Sequence, residues 1–306
     1  MNILVTGASG YVGKQLVPYL ESQGHQVSGL DSNDFRMLRI KEASSMNSSY
    51  WPIYEICYHQ KFDAIIHLAV KTHAGGYCQE HPGDQFLINS EINNTILQYW
   101  RKYQSQAKFI TFGSSCAYDQ NVKKIEENYL KGDCEPGYEV YGQIKRHLLY
   151  GLKALNKEYG MNYTYLIPST FYGPGYDLND KHFIFELIRK ISNDEEVVLW
   201  GDGTQRRELI YIEDALKIIE KSLTWDQQIC NLSSGNDYNI IHYSNIICGL
   251  TNRDDLEIKW DITQFVGSKE KKLVNTYLKD FIFTNIIDGL WETIKYYQKC
   301  KNINTL

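Results

Sequence analysis

The sequence lacks any run near the ~20 consecutive apolar residues that a membrane helix needs, so a membrane is not an expected partner. It also lacks a basic excess. The net charge is -5, and Lys/Arg cluster only briefly at Lys269, Lys271 and Lys272, which argues against nucleic acid as a partner. The seven cysteines (Cys57, Cys78, Cys116, Cys134, Cys230, Cys248, Cys300) are odd in number and scattered, with no Cys-x-x-Cys pair. Neither a disulfide framework nor a metal site is expected from them. There is no basic region or cleavage site at the N-terminus, where Met1-Asn2-Ile3-Leu4-Val5 runs straight into a glycine turn. A reducing, cytoplasmic location is the expectation. Internal repeats and low-complexity linkers are absent too. What remains is a chain of 306 residues with 43% hydrophobic and 23% charged content, ordinary for a globular protein with a sizeable core.

The pattern that is present alternates strands with helices. Ile3 to Val5 is a short apolar run, followed by Thr6-Gly7-Ala8-Ser9-Gly10-Tyr11-Val12-Gly13 and then a helical pattern through Leu16, Val17 and Leu20. Further strands are expected at Gln26 to Leu30, Ala64 to Ala69, Phe109 to Phe112, Tyr163 to Ile167, Val197 to Trp200 and Ile229 to Leu232. Helices are expected over Asn89 to Tyr103, Tyr141 to Tyr159 and Phe183 to Ile191. This predicts an α/β fold: a Rossmann-type doubly wound parallel sheet with a smaller C-terminal α/β substrate domain. Residues 1-168 with about 208-232 would form the dinucleotide-binding domain, and 169-207 with 233-306 the nucleotide-sugar-binding domain. A third strand would fall between residues 32 and 60, where the pattern is irregular.

A glycine turn opening a helix directs backbone N–H groups and the positive end of the helix dipole toward a pyrophosphate. Here the spacing is Gly-x-x-Gly-x-x-Gly, and its place after the first strand gives it meaning. Asp31 ends the second strand, where a carboxylate accepts hydrogen bonds from an adenosine ribose and repels a 2'-phosphate. NAD(H) is therefore favoured, with NADP(H) left open. The competing reading of Asp31 is a cap for the turn Asp-Ser-Asn-Asp. Tyr141 and Lys145 stand four apart, so on a helix the ammonium lies near the phenol and is expected to lower its pKa. Upstream lies Gly-Ser-Ser-Cys-Ala-Tyr, Gly113 to Tyr118.

With this set, His67-Leu68-Ala69 after a strand and Tyr172-Gly173-Pro174, the chain resembles the extended short-chain dehydrogenase/reductases that act on nucleotide sugars. Within them it looks most like the GDP-L-fucose synthase group of 3,5-epimerase/4-reductases. That pattern is matched by Gly113 to Tyr118, by His182 in His182-Phe183-Ile184, by Trp200 to Thr204, by Arg207-Glu208-Leu209 and by Lys272-Leu273. The resemblance implies catalytic Ser114, Tyr141 and Lys145, a Cys116/His182 epimerisation pair, and Arg207 and Lys272 near the phosphates of a GDP-sugar. It also implies a cofactor site of Gly7, Gly10, Tyr11, Val12, Gly13, Asp31, Leu68, Ala69 and Lys71 with Tyr141 and Lys145. Ser115, Thr170 and Trp200 would complete the substrate site, and a homodimer is expected.

Each residue has a plainer rival. Cys116 could be a small buried apolar residue, His182 a helix cap, Arg206 and Arg207 a solvated turn, and Trp200 core; His67 reads as packing at a strand end. The chain also departs from the group. Its turn has no basic residue for a 2'-phosphate, Thr170 stands where an asparagine is usual, and the segment from Tyr172 to His182 is short. The expected function is an NAD(P)H-dependent epimerase/reductase at carbons 3, 5 and 4 of a GDP-4-keto-6-deoxy hexose or heptose. The alternative is an NAD-dependent nucleotide-sugar 4-epimerase or 4-dehydrogenase/reductase without 3,5-epimerisation. A non-catalytic dinucleotide sensor is opposed by the intact Ser114/Tyr141/Lys145 set.

Overall fold

A computed structural model of the chain describes residues 1–31, 59–73, 76–226, 228–264 and 266–303. Its central sheet is parallel, in the order β2-β1-β3-β4-β5-β9. The strands are β1 (Asn2–Thr6), β2 (Gln26–Leu30), β3 (Ala64–His67), β4 (Lys108–Phe112), β5 (Tyr163–Pro168) and β9 (Ile229–Leu232). The third strand expected between residues 32 and 60 lies outside the described residues.

A parallel sheet needs both faces covered, and the side chains of β1, β3 and β4 divide accordingly with period two. Ile3, Val5, Ala64, Ile66 and Ile110 pack on one face with Leu16 and Leu20 of α1 (Gly13–Ser22) and with Ile212, Ala215 and Ile219 of α6 (Ile212–Ser222). Leu4, Ile65 and Phe109 occupy the other face. They meet Ile96, Tyr99 and Trp100 of α3 (Pro82–Tyr103) and Leu148, Leu149 and Leu152 of α4 (Glu139–Tyr159). A short helix, α2 (Tyr77–Glu80), precedes α3.

Helix α3 begins seven residues before the expected Asn89, because Pro82 supplies a pre-set φ at the first helical position, where no N–H is needed. Its first turns expose Phe86, Leu87 and Ile88, so hydrophobic periodicity does not mark them. Beyond β5 the chain builds a second core around Phe185, Ile188, Leu199, Tyr243, Ile247 and Leu290. Here β6 (Thr170–Tyr172), β8 (Arg206–Tyr211) and β10 (Asp237–Asn239) form a small sheet in the order β10-β8-β6, and β7 (Val197–Trp200) pairs with β11 (Ile258–Asp261). Helices α5 (Phe183–Asn193), α7 (Ile240–Leu250) and α8 (Ile286–Ile303) complete it.

β1 is flanked by β2 on one side and β3 on the other, so the direction of winding reverses at the carboxyl end of β1. In open α/β sheets that reversal leaves a crevice for a ligand. Among the described residues no helix is long and apolar enough to cross a membrane, and the described cysteines are free thiols.

Candidate active site

The crevice continues into a cleft of about 1720 Å³ that runs from the glycine turn to the second core. A single small ligand fills roughly 300–1,000 Å³, so there is room for two.

At one end the glycine turn closes on itself. Gly7 has φ +73°, and a Cβ there would come within 2.8 Å of the Ala69 backbone nitrogen, so the turn lies directly against the segment leaving β3. A Cβ on Gly13 would be 2.2 Å from the Gly7 carbonyl oxygen. Gly7, Gly10, Tyr11, Val12 and Gly13 therefore bring the start of α1 to the cleft wall, beside Leu68, Ala69 and Lys71. The Asp31 carboxylate accepts from the Ser9 backbone N–H at 3.0 Å and faces the same space. This cradle fits a dinucleotide: backbone at closest approach, a helix N-terminus, and a carboxylate at the end of the second strand. Lys71 is held through its backbone, which donates to and accepts from the Asn89 side chain at 2.7 and 2.9 Å. Asn89 gave no sequence signal, being one polar residue in a helical run.

In the middle of the cleft are Ser114, Ser115, Cys116, Tyr141 and Lys145. The Ser114 hydroxyl accepts from the Cys116 N–H at 3.3 Å and fixes the tight turn Ser115–Ala117. Lys145 is buried, donates to the Phe112 carbonyl at 3.0 Å and lies 5.7 Å from the centre of the Tyr141 ring. Burial lowers the Lys145 pKa to about 8. The expected lowering of the phenol is not found. Burial, with the Cys116 and Cys78 thiols nearby, pushes Tyr141 well above its ordinary value. A low-dielectric setting penalises phenolate more than one lysine at this distance offsets, and a raised pKa keeps the phenol protonated as a donor.

Cys116 is pushed up by burial, an effect that Lys271 opposes. The Lys271 ammonium sits 3.7 Å from the Cys116 sulfur and 2.7 Å from Glu135. Lys271 lines the cleft without having been marked by the sequence. Lys272, expected at the phosphates, turns away from the cleft and pairs with Asp237 at 3.2 Å. The neighbouring Leu273 is fully buried and anchors this segment, with Lys271 on the cleft side and Lys272 paired outside it.

The far wall carries Thr170, His182, Trp200 and Arg207. Trp200 is 55% exposed, which excludes core. The Arg207 guanidinium is fixed by the carbonyls of Ser268 (2.8 Å) and Val266 (2.5 Å), whereas Arg206 pairs with Asp237 outside the cleft. His182 ends the loop before α5, with its Nδ1 2.6 Å from Asp180. His67 is buried against Thr6, 2.7 Å from its hydroxyl, and burial lowers its pKa to about 3. It also lines the cleft beside Leu68 and Ala69.

A family model described as NAD dependent epimerase/dehydratase matches residues 3–240. The chain is 28% identical over 318 residues to a GDP-L-colitose synthase of Yersinia pseudotuberculosis, covering 99% of each. It is 29% identical over 286 residues to a GDP-L-fucose synthase of Sinorhizobium fredii, covering 89% of this chain and 86% of the relative. Its fold superposes with a TM-score of 0.82 on a GDP-6-OMe-4-keto-L-xylo-heptose reductase from C. jejuni, at 16% identity and 98% coverage of both chains.

Proposed function

The chain belongs to the NAD dependent epimerase/dehydratase family, and from that premise we propose that it is an NAD(P)H-dependent epimerase/reductase of a GDP-4-keto-6-deoxy sugar. It is an enzyme of the extended short-chain dehydrogenase/reductase type. One observation carries the reading: the cleft that holds Ser114, Tyr141 and Lys145 is also lined by Cys116 and His182. A reductase alone has no need of a second acid/base pair. The names of the colitose and fucose synthases support a GDP-sugar.

A ketone at carbon 4 acidifies the hydrogens on carbons 3 and 5. Cys116 removes one such proton in its thiolate form, which burial disfavours and the nearby Lys271 ammonium favours, and the electron pair moves onto the ketone oxygen as an enolate. Ser114 and Tyr141 hydrogen-bond that oxygen. His182 returns a proton from the other side, which inverts the centre. A dinucleotide held by the glycine turn and Asp31 would supply the hydride for carbon 4. Tyr141 donates the proton to the resulting alkoxide, and the Lys145 ammonium stabilises the phenolate left behind. Lys271 and Arg207 offer cations to the diphosphate, and Trp200 a face for the base. Asp31, beside the glycine turn, favours NADH over NADPH through repulsion of a 2'-phosphate.

The test is GDP-4-keto-6-deoxymannose in D2O with the wild type and Cys116→Ser. Deuterium at carbons 3 and 5 is expected to need Cys116. A variant that exchanges at the wild-type rate would remove that role. The second reading, a 4-epimerase holding NAD, draws on Asp31; it would be favoured by NAD co-purifying with the protein and by turnover of a sugar nucleotide lacking the ketone without added reductant.

A further inference from the structure

His182 does not stand alone in the cleft. Its Nδ1 lies 2.6 Å from Asp180 Oδ1, and the same carboxylate oxygen accepts the His182 backbone N–H at 2.8 Å. Asp180 also lines the cleft, and its side chain is 20% exposed against 49% for the ring. Two contacts from one residue to one oxygen fix both the backbone and the ring of His182.

The carboxylate is not engaged in capping α5. In that helix the first-turn N–H groups of Phe185 and Glu186 donate to the His182 carbonyl, both at 3.0 Å, and no side chain caps the helix start. Burial works against ionisation of Asp180, yet the bonds from His182, with His73 adding its field, hold its carboxyl below the usual range. An ionised carboxylate can only accept. The hydrogen in the 2.6 Å contact therefore belongs to Nδ1.

We propose that Asp180 is a positioning residue for the acid/base histidine: by accepting the Nδ1 proton it fixes the ring tautomer and reserves Nε2 for the sugar. The inference rests on the epimerase reading above. In the neutral ring Nε2 carries the lone pair, and in the protonated ring it carries the proton that is delivered. One ring atom then both gives and takes the proton at the same place, and no ring flip is needed between half-reactions. Carboxylate–histidine pairs are used in this way because a freely rotating imidazole presents either nitrogen.

The experiment compares wild type, Asp180→Ala, Asp180→Asn and His182→Asn in two measurements. The first is the 15N spectrum of the imidazole at neutral pH; the second is deuterium exchange at carbons 3 and 5 of GDP-4-keto-6-deoxymannose. A thermal shift with NADH confirms that each variant is folded. In the wild type the His182 ring is expected to carry its neutral-form proton on Nδ1. Asp180→Ala is expected to give a mixture of tautomers and at least tenfold slower exchange. Asp180→Asn, which keeps an acceptor oxygen, should recover part of that rate. A wild-type tautomer or a wild-type exchange rate in Asp180→Ala overturns the proposal. Wild-type exchange in His182→Asn would instead overturn the acid/base reading of the histidine, while the tautomer measurement would still decide whether Asp180 sets the ring.

Discussion

Lys145 and Tyr141 show at the residue scale how burial sorts proton roles. Lys145 titrates near 8 because burial disfavours its charge, and its cation is present below that value and lost above it. If the cation stabilises the developing phenolate, kcat/KM for carbon 4 reduction falls as pH rises through about 8. A pH–rate profile with NADH checks this, and a flat profile to pH 9.5 would contradict it. Tyr141 is shifted the opposite way and remains a phenol across the same range. Tyr141→Phe is expected to slow reduction by about 10²–10⁴-fold, the usual worth of a positioned proton donor, measured as NADH oxidation. Sequence spacing put the two residues on one face of α4. It could not weigh desolvation against Coulomb attraction, because that balance depends on Phe112, Cys78 and Cys116 brought in from other elements.

At the element scale the strand–turn–helix at the N-terminus is the most constrained piece of the cleft. The Gly13 position faces the Gly7 carbonyl, a backbone atom that cannot swing aside. Gly13→Ala is expected to cost about 1–3 kcal/mol and to abolish the thermal shift given by NADH, which melting with and without the dinucleotide measures. This element was legible in the sequence because glycine spacing after an apolar run has few structural solutions. The segment carrying Lys271 was not. It belongs to neither helix nor strand, so no period marks which of its lysines turns inward. Asp180 escaped for a related reason: an aspartate two residues before a histidine in a loop resembles any turn.

At the scale of the whole molecule, the cleft depends on contacts between distant parts of the chain. The buried Glu208 of β8 accepts from the Ser233 hydroxyl at 2.5 Å, the Gly235 N–H at 2.8 Å and the Leu273 N–H at 3.1 Å. It thereby ties the small sheet, the end of β9 and the Lys271–Leu273 segment together. Glu208→Ala leaves buried donors without an acceptor, an expected loss of about 1–3 kcal/mol. It should also raise KM for the sugar nucleotide more than KM for NADH, because Lys271 and Arg207 lie on the segments released. Denaturation midpoints and the two KM values check both effects, and equal changes in the two KM values would count against the tie.

The sequence by itself determined the parallel sheet, the glycine cradle and the order in which Ser114, Cys116, Tyr141 and Lys145 come along the chain. These follow from local periodicity and spacing, which a linear string carries. Tertiary structure decided the rest: the phenol driven up instead of down, Lys271 in the cleft instead of Lys272, and a carboxylate on His182. The physical reason is common to all three. Desolvation, ion pairing and the direction of a side chain in irregular backbone are set by neighbours distant in sequence, and only folding supplies them.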